Sequence, residues 1–406
     1  MAASIEGTLA PQDAGAVPQF QHSTPAFRTF CGDRSLDALP KELDRAGATR
    51  AVIVYGPSLK DQHGAALGRV EQALGPRLAG RFEDVRQHSP VPSVEAAAAA
   101  LAAAAADAVI AVGGGSAIVT ARAATILLAE QQDLRALCTR RQGDGRLHSP
   151  RLLRQKLPQW VVATTPTTAY AKAGSAAHDP ATGERLALFD PKTRAQGVFF
   201  DPVLALTAPP ALTRASALNA FCMAVEGLQS GVDDPLATAL LTHAAATLAQ
   251  WLPRLSSEPE SPGPRLRLML AALLSGQGSD FAGGGLAQAI SHAAGPRSQV
   301  ANGVVEALLL PLAMRYNAPV TAARLGSVAQ ALGVTAPGEP SQAESAVAAV
   351  QDLLGRLGVP SRLRDVGITR AALPDIVEHT FNDWVITQVP RPIGPGELGT
   401  LLDAAW

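Results

Sequence analysis

Cysteine is scarce in this chain: three in 406 residues, at positions 31, 138 and 222, with no CxxC pairing. That scatter excludes a disulfide framework and a thiolate zinc site, and it suits a reducing compartment. Charge of one sign is lacking too. A formal net charge of −1 offers no field to draw nucleic acid or an acidic membrane surface. The first residues hold no basic run followed by an apolar one, so no signal peptide is read there. No stretch is long and apolar enough to cross a membrane, because the alanine runs near residue 100 break at Asp107 and end in a glycine turn. A cytoplasmic protein is expected. What is present is ample apolar material, 47% of the chain, enough for two domains with their own cores.

Residues 1–25 are rich in Pro, Gly and Ala without period and read as a loose leader. From 26 to 207, strand-like runs alternate with helical ones: "RAVIVYG", a helix from "SVEAAAAALAAAAA" with Ser93 as its N-cap, "DAVIAVGGG", "SAIVTARAATILLAE" and "WVVATTPTT". Such alternation predicts an α/β domain with a parallel, doubly wound sheet. The arginine-rich segment Thr139 to Lys156 reads as an irregular solvated loop. Beyond Pro209 and Pro210, proline after an extended segment starts a helix. Apolar residues then recur every three or four positions, predicting an all-helical domain over 208–406.

In "VGGGSAIVTAR" an apolar strand feeds Gly113, Gly114 and Gly115, then Ser116 as the expected helix N-cap. Glycine lets a backbone approach an anion closely, and free N–H groups at a helix start favour a pyrophosphate. A tight turn without ligand would also tolerate glycine. Three in a row at the carboxyl end of a parallel strand favour the phosphate.

The order "GGGS", "TPTT", "DPATGER", "FFDPVLALTAPPALT", "SALNAFCMAVE" and a closing "VPRPIGPGELGTLLDAAW" resembles the iron-containing alcohol dehydrogenase family, most of all its maleylacetate reductase branch. The resemblance runs from about residue 25 to the C-terminus. It implies a nicotinamide dinucleotide, NADH or NADPH, over Gly113 to Ser116, with Thr165, Thr167 and Thr168 edging adenine and ribose. It also implies substrate in the cleft facing the helical domain. The chain departs from the pattern where Val119 replaces an Asp, Arg122 replaces a Lys, and "AYAKAGSAA" replaces a Gly-Thr-Gly-Ser-Glu run.

Metal-dependent members place Asp and His at i and i+4 on one helix and two further ligand histidines downstream. Here those positions read Asn219, Met223, Gln288 and Asn302. Neutral amides and a thioether are poor ligands for a hard divalent ion, so no catalytic metal is expected. Met223 also fits simple core filling, and Asn219 and Gln288 could satisfy each other by a hydrogen bond. His292, the pattern's non-ligand histidine, survives. As an imidazolium it would polarise a carbonyl and protonate the alkoxide, unless it is a core histidine. Tyr170 and Lys172 follow the threonine turn, with Tyr170 a second acid candidate. Arg391 in "VPRP" is a candidate for a substrate carboxylate. His178, His243 and His379 read as structural or surface residues.

The expectation is a metal-independent NAD(P)H-dependent reductase of a small oxo- or enone-acid, acting as a homodimer. Two alternatives stay open: a non-redox isomerase, dehydratase or cyclase on the same scaffold, and a catalytically silent homologue.

Overall fold

The computed structural model describes residues 20–142, 146–334 and 341–406. Six strands form one parallel sheet: β1 (Arg28–Cys31), β2 (Ala51–Val54), β3 (Leu78–Phe82), β4 (Ala108–Gly113), β5 (Gln159–Ala163) and a last strand at Gly197–Phe200. Between β5 and that last strand the chain makes an antiparallel hairpin, β6 (Gly174–His178) and β7 (Arg185–Phe189), which makes the last sheet strand β8. The sheet order is β1-β8-β5-β4-β2-β3. Every neighbouring pair in it runs parallel.

The period of two divides β4 between two cores. Val109 and Ala111 face one side, packing with the helices α3 (Val91–Ala103) and α4 (Gly115–Glu130). Ala108, Ile110 and Val112 face the other, against Leu39 and Leu43 of a first helix and Leu67 and Val70 of a second. Burial on both faces explains why these strands read as unbroken apolar runs.

After β8 no strand follows among the described residues, and a long helix α5 (Pro210–Leu228) begins at the expected proline pair. It lies at the centre of the helical region, where its residues from Ala217 to Leu228 are buried apart from the half-buried Asn219. Around it stand α6 (Pro235–Trp251), α7 (Pro262–Ala282), α8 (Leu286–Ala294) and α9 (Asn302–Ala331).

Several sequence expectations need correction. Ser93 does not cap its helix. Pro90 holds the N-cap position, and the Ser93 hydroxyl donates to the Asp84 carbonyl at 2.8 Å. Ser116 lies inside α4, whose N-cap is Gly114. Within the leader, residues 1–19 fall outside the described residues. His22 is not loose, for its ring stacks on Phe281 at 3.9 Å and bonds Asp234 at 2.6 Å. The segment 139–156 holds two short paired strands, Arg140–Arg141 and Leu147–His148, and residues 143–145 are outside the described set. It ends in a side chain with no exposure at all: Lys156 Nζ meets Glu130 at 2.6 Å and Asp190 at 3.0 Å. The strands β1, β3 and β8 and the β6–β7 hairpin have no counterpart in the sequence reading.

Removing the charge of a buried ion pair strands its partners in a poorly solvating interior. Lys156→Met should therefore lower stability by about 3–5 kcal/mol, measurable as a shift of the urea unfolding midpoint. An unchanged midpoint would mean that water reaches this triad.

Candidate active site

A large cleft opens between the carboxyl edge of the sheet and the helices. Its volume is about 2580 Å³, well above the roughly 300–1,000 Å³ of a small-ligand pocket. An extended dinucleotide and a small substrate fit together in such a space. The glycine turn enters it where the strand order reverses, between β2 and β4. That is the usual ligand position of an open parallel sheet.

Two glycines here are required by the chain itself. Gly113 has φ +149°, a backbone region that side chains disfavour. A Cβ on Gly114 would lie 2.3 Å from Thr165 Oγ1. The turn thus packs directly on the first threonine of "TPTT". No side chain caps α4, so its first N–H groups stay open toward the cleft. A phosphate fits that cradle.

The threonines divide. Thr165 and Thr168 are buried, while Thr167 is half-buried and accepts from Ala169 N. Tyr170 does not reach the cleft. It is fully buried edge-on against Phe200, its hydroxyl donates to the Thr165 carbonyl, and burial drives its pKa well above the ordinary value. It buttresses the turn and is not placed to act as an acid. Arg391 also lies elsewhere, stacked on Tyr316 at 4.1 Å and bonded to Glu397 at 3.3 Å. Among the guanidiniums that line the cleft, that of Arg185 is joined to His292 through Asp383.

The i, i+4 spacing brings Asn219 and Met223 to one face of α5, and Gln288 and His292 to one face of α8. Both faces line the cleft. Asn219 and Gln288 do not bond to each other. Asn219 Nδ2 donates to Glu306, a buried carboxyl held well above its usual range by desolvation and by Glu226. Gln288 Nε2 lies 3.2 Å from Met223 Sδ. Asn302 opens α9 and donates to Ser291 at 3.4 Å. These positions present N–H donors and a thioether, not anionic or imidazole ligands, and this donor set does not fit iron or zinc. Among the described residues, no three His, Cys, Asp or Glu side chains converge as a metal site.

His292 Nδ1 lies 2.9 Å from Asp383, which also pairs with Arg185 at 2.8 Å. Burial opposes the Asp383 anion, yet His292 and Arg185 hold it far below the usual carboxylate range. Burial and then Arg185 lower the His292 pKa, outweighing Asp383. That direction disfavours the imidazolium expected from the sequence. Asp383 accepts from Nδ1, and Nε2 makes no hydrogen bond among the described residues. The cation of the inner cleft is Lys172, whose pKa burial brings down to about 8. Three residues went unnoticed as site elements: Asp383, Arg185 and His88. His88 lines the cleft in a left-handed backbone conformation, φ +63°, a placement no periodicity announces. Of the histidines set aside, His178 and His379 line the cleft rim, and His243 is exposed.

Comparison with known proteins agrees with this geometry. Residues 25–202 match iron-containing alcohol dehydrogenase, and residues 213–406 match the C-terminal part of the same family. The chain belongs to the iron-containing alcohol dehydrogenase family. It is an oxidoreductase. It is 26% identical to maleylacetate reductase 1 of Cupriavidus pinatubonensis over 93% of this chain and 95% of that enzyme. To the 1,3-propanediol dehydrogenase of Klebsiella pneumoniae it is 29% identical over 51% of this chain and 54% of the relative, so that match spans about half of the relative's length. Among solved structures, the alcohol dehydrogenase from Oenococcus oeni superposes with a TM-score of 0.86 at 22% identity, covering 93% and 98% of the two chains. The maleylacetate reductase from Rhizobium sp. gives 0.76 at 24%, covering 96% and 99%. Both likenesses concern the fold. No described helix is long and apolar enough to cross a membrane.

The electrostatics around His292 generate a signed test. Asp383→Asn removes the anion that raises the histidine's pKa, so its titration midpoint should fall further. Arg185→Gln removes a cation that lowers it, so the midpoint should rise. Titration of the imidazole by ¹H–¹⁵N NMR reads both, and shifts of the opposite sign would refute the assigned pairing.

Proposed function

We propose that this chain is a metal-independent, NAD(P)H-dependent reductase of a small carboxylated oxo- or enone-acid. One observation carries the reading: the uncapped, glycine-started helix α4 opens into the same cleft whose inner wall presents amides, a thioether and a lysine. When bound, the reduced nicotinamide supplies a hydride. The chain's own residues do the rest. The N–H groups at the start of α4 bind the pyrophosphate. The helical wall excludes water, and His292, pinned by Asp383, is an oriented hydrogen-bond partner for substrate. Arg185, which gives only one guanidinium nitrogen to Asp383, is a guanidinium for a substrate carboxylate. The likeness to maleylacetate reductases over nearly the whole chain supports an acid of that class.

The decisive measurement is a titration with NADH and NADPH followed by nicotinamide fluorescence, then turnover of maleylacetate with EDTA present. Saturable binding and EDTA-insensitive turnover are expected, with no stoichiometric iron or zinc by elemental analysis. One metal per chain, removed together with activity, would overturn metal independence. Gly114→Val should abolish dinucleotide binding while far-UV circular dichroism stays unchanged, because its side chain drives Thr165 and the start of α4 apart. A Gly114→Val protein that binds as the parent does places the cofactor elsewhere.

A further inference from the structure

Met223 Sδ sits at the meeting point of three hydrogen-bond donors. Gln288 Nε2 lies at 3.2 Å, Thr168 Oγ1 at 3.7 Å and Lys172 Nζ at 3.9 Å, and all four residues line the cleft. A thioether is a neutral, weak acceptor. Three donors, one of them cationic, are under-served by it, whereas buried donors are ordinarily matched. Lys172 makes no ion pair among the described residues. The carboxylates whose fields act on it are otherwise engaged: Asp280 pairs with Arg194, and Glu306, its pKa raised by burial, accepts from Asn219.

The segment carrying Lys172 is held on both sides. Arg122 donates to the Ala169 carbonyl at 2.8 Å and to the Gly174 carbonyl at 2.6 Å. Arg194 donates to the Ala171 carbonyl at 2.6 Å, and Thr193 to that of Ala173 at 3.3 Å. The ammonium is thus delivered into the cleft by a rigid backbone.

We propose that Lys172, Gln288 and Thr168 form an oxyanion site in which the Lys172 ammonium takes over the charge role of a metal ion and protonates the reduced carbonyl oxygen. This rests on the reductase reading. In an oxo-acid the carbonyl carbon accepts the hydride with its electron pair, and in an enone such as maleylacetate the β-carbon does so while the C=C pair shifts; in both the C–O π pair moves to oxygen. That oxygen takes a proton from Lys172, and water then reprotonates the amine. The lowered pKa of Lys172, about 8, suits an acid working near neutral pH. The two amide and hydroxyl donors hold the oxygen as its charge develops.

The test uses oxalate as an anion probe, titrated calorimetrically into the full chain with and without saturating NADPH, alongside maleylacetate turnover. Lys172→Met should weaken oxalate more than about tenfold, the worth of one charge-assisted hydrogen bond. Its NADPH affinity should stay that of the parent, and its turnover should fall about 10²–10⁴-fold. Lys172→Arg keeps the charge but does not release its proton near neutral pH, so it should keep oxalate binding and still lose turnover. That second variant keeps the proposal decidable if Lys172→Met fails to fold. Unaltered oxalate affinity in Lys172→Met, or parental turnover in Lys172→Arg, would overturn the proposal. A parent that binds oxalate through Lys172 but no NADPH or NADH would instead sink the reductase reading, because the oxalate arm needs neither cofactor nor substrate.

Discussion

The fully buried guanidinium of Arg122 is the constraint on which the site's architecture depends. It stands on α4, two turns below the glycine turn, and spends its donors on the backbone carbonyls of Ala169 and Gly174. Burial, with Arg194 nearby, brings its pKa down to about 10, so it stays cationic at neutral pH. A buried cation without a carboxylate partner is costly unless backbone dipoles replace its hydration. That requirement ties the helix that holds the phosphate cradle to the irregular segment that carries Lys172. Tyr170 adds a second tie, from the same segment back to Thr165, the residue on which Gly114 packs. The two ends of the cleft are thereby set in one frame.

Charge in the inner cleft follows from who has a partner. Asp383 is shared by His292 and Arg185, while burial and Arg185 draw the histidine's pKa down against the pull of Asp383. Glu306 and Glu226 are buried near each other, and both are pushed toward the protonated form, Glu226 to about 7 by desolvation. Lys172 is left as the cation whose donors meet only a thioether. A wall of this kind presents hydrogen-bond donors and, among the described residues, no cluster of anionic or imidazole ligands.

Much of the fold was legible in the sequence, because its signals are local. Strand β4, the glycine turn and α4 were readable as one unit, and so was the onset of helix at Pro209–Pro210. The strands β1, β3 and β8 were missed for a physical reason. β1 and β3 form the two sheet edges with little buried surface, so no apolar run marks them, and the four residues of β8 run straight into the helix start at Asp201–Pro202. Lys156 misled for a different reason. It ends an arginine-rich segment whose other cations are solvated, and only contact with Glu130 and Asp190 makes it a core residue.

The sequence alone determined which side chains stand at i and i+4 on α5 and α8, since helical spacing places Asn219 with Met223 and Gln288 with His292 whatever surrounds them. It likewise set the donor chemistry of those positions. Tertiary structure decided which donor faces which acceptor, and hence the protonation states. The partners of His292, Lys172 and Tyr170 lie 91, 51 and 5 residues away along the chain. Even the shortest of these depends on a turn, not a repeat. A pKa is set by desolvation and by charges within a few ångströms. Those neighbours exist only once the sheet and the helical wall have closed on each other.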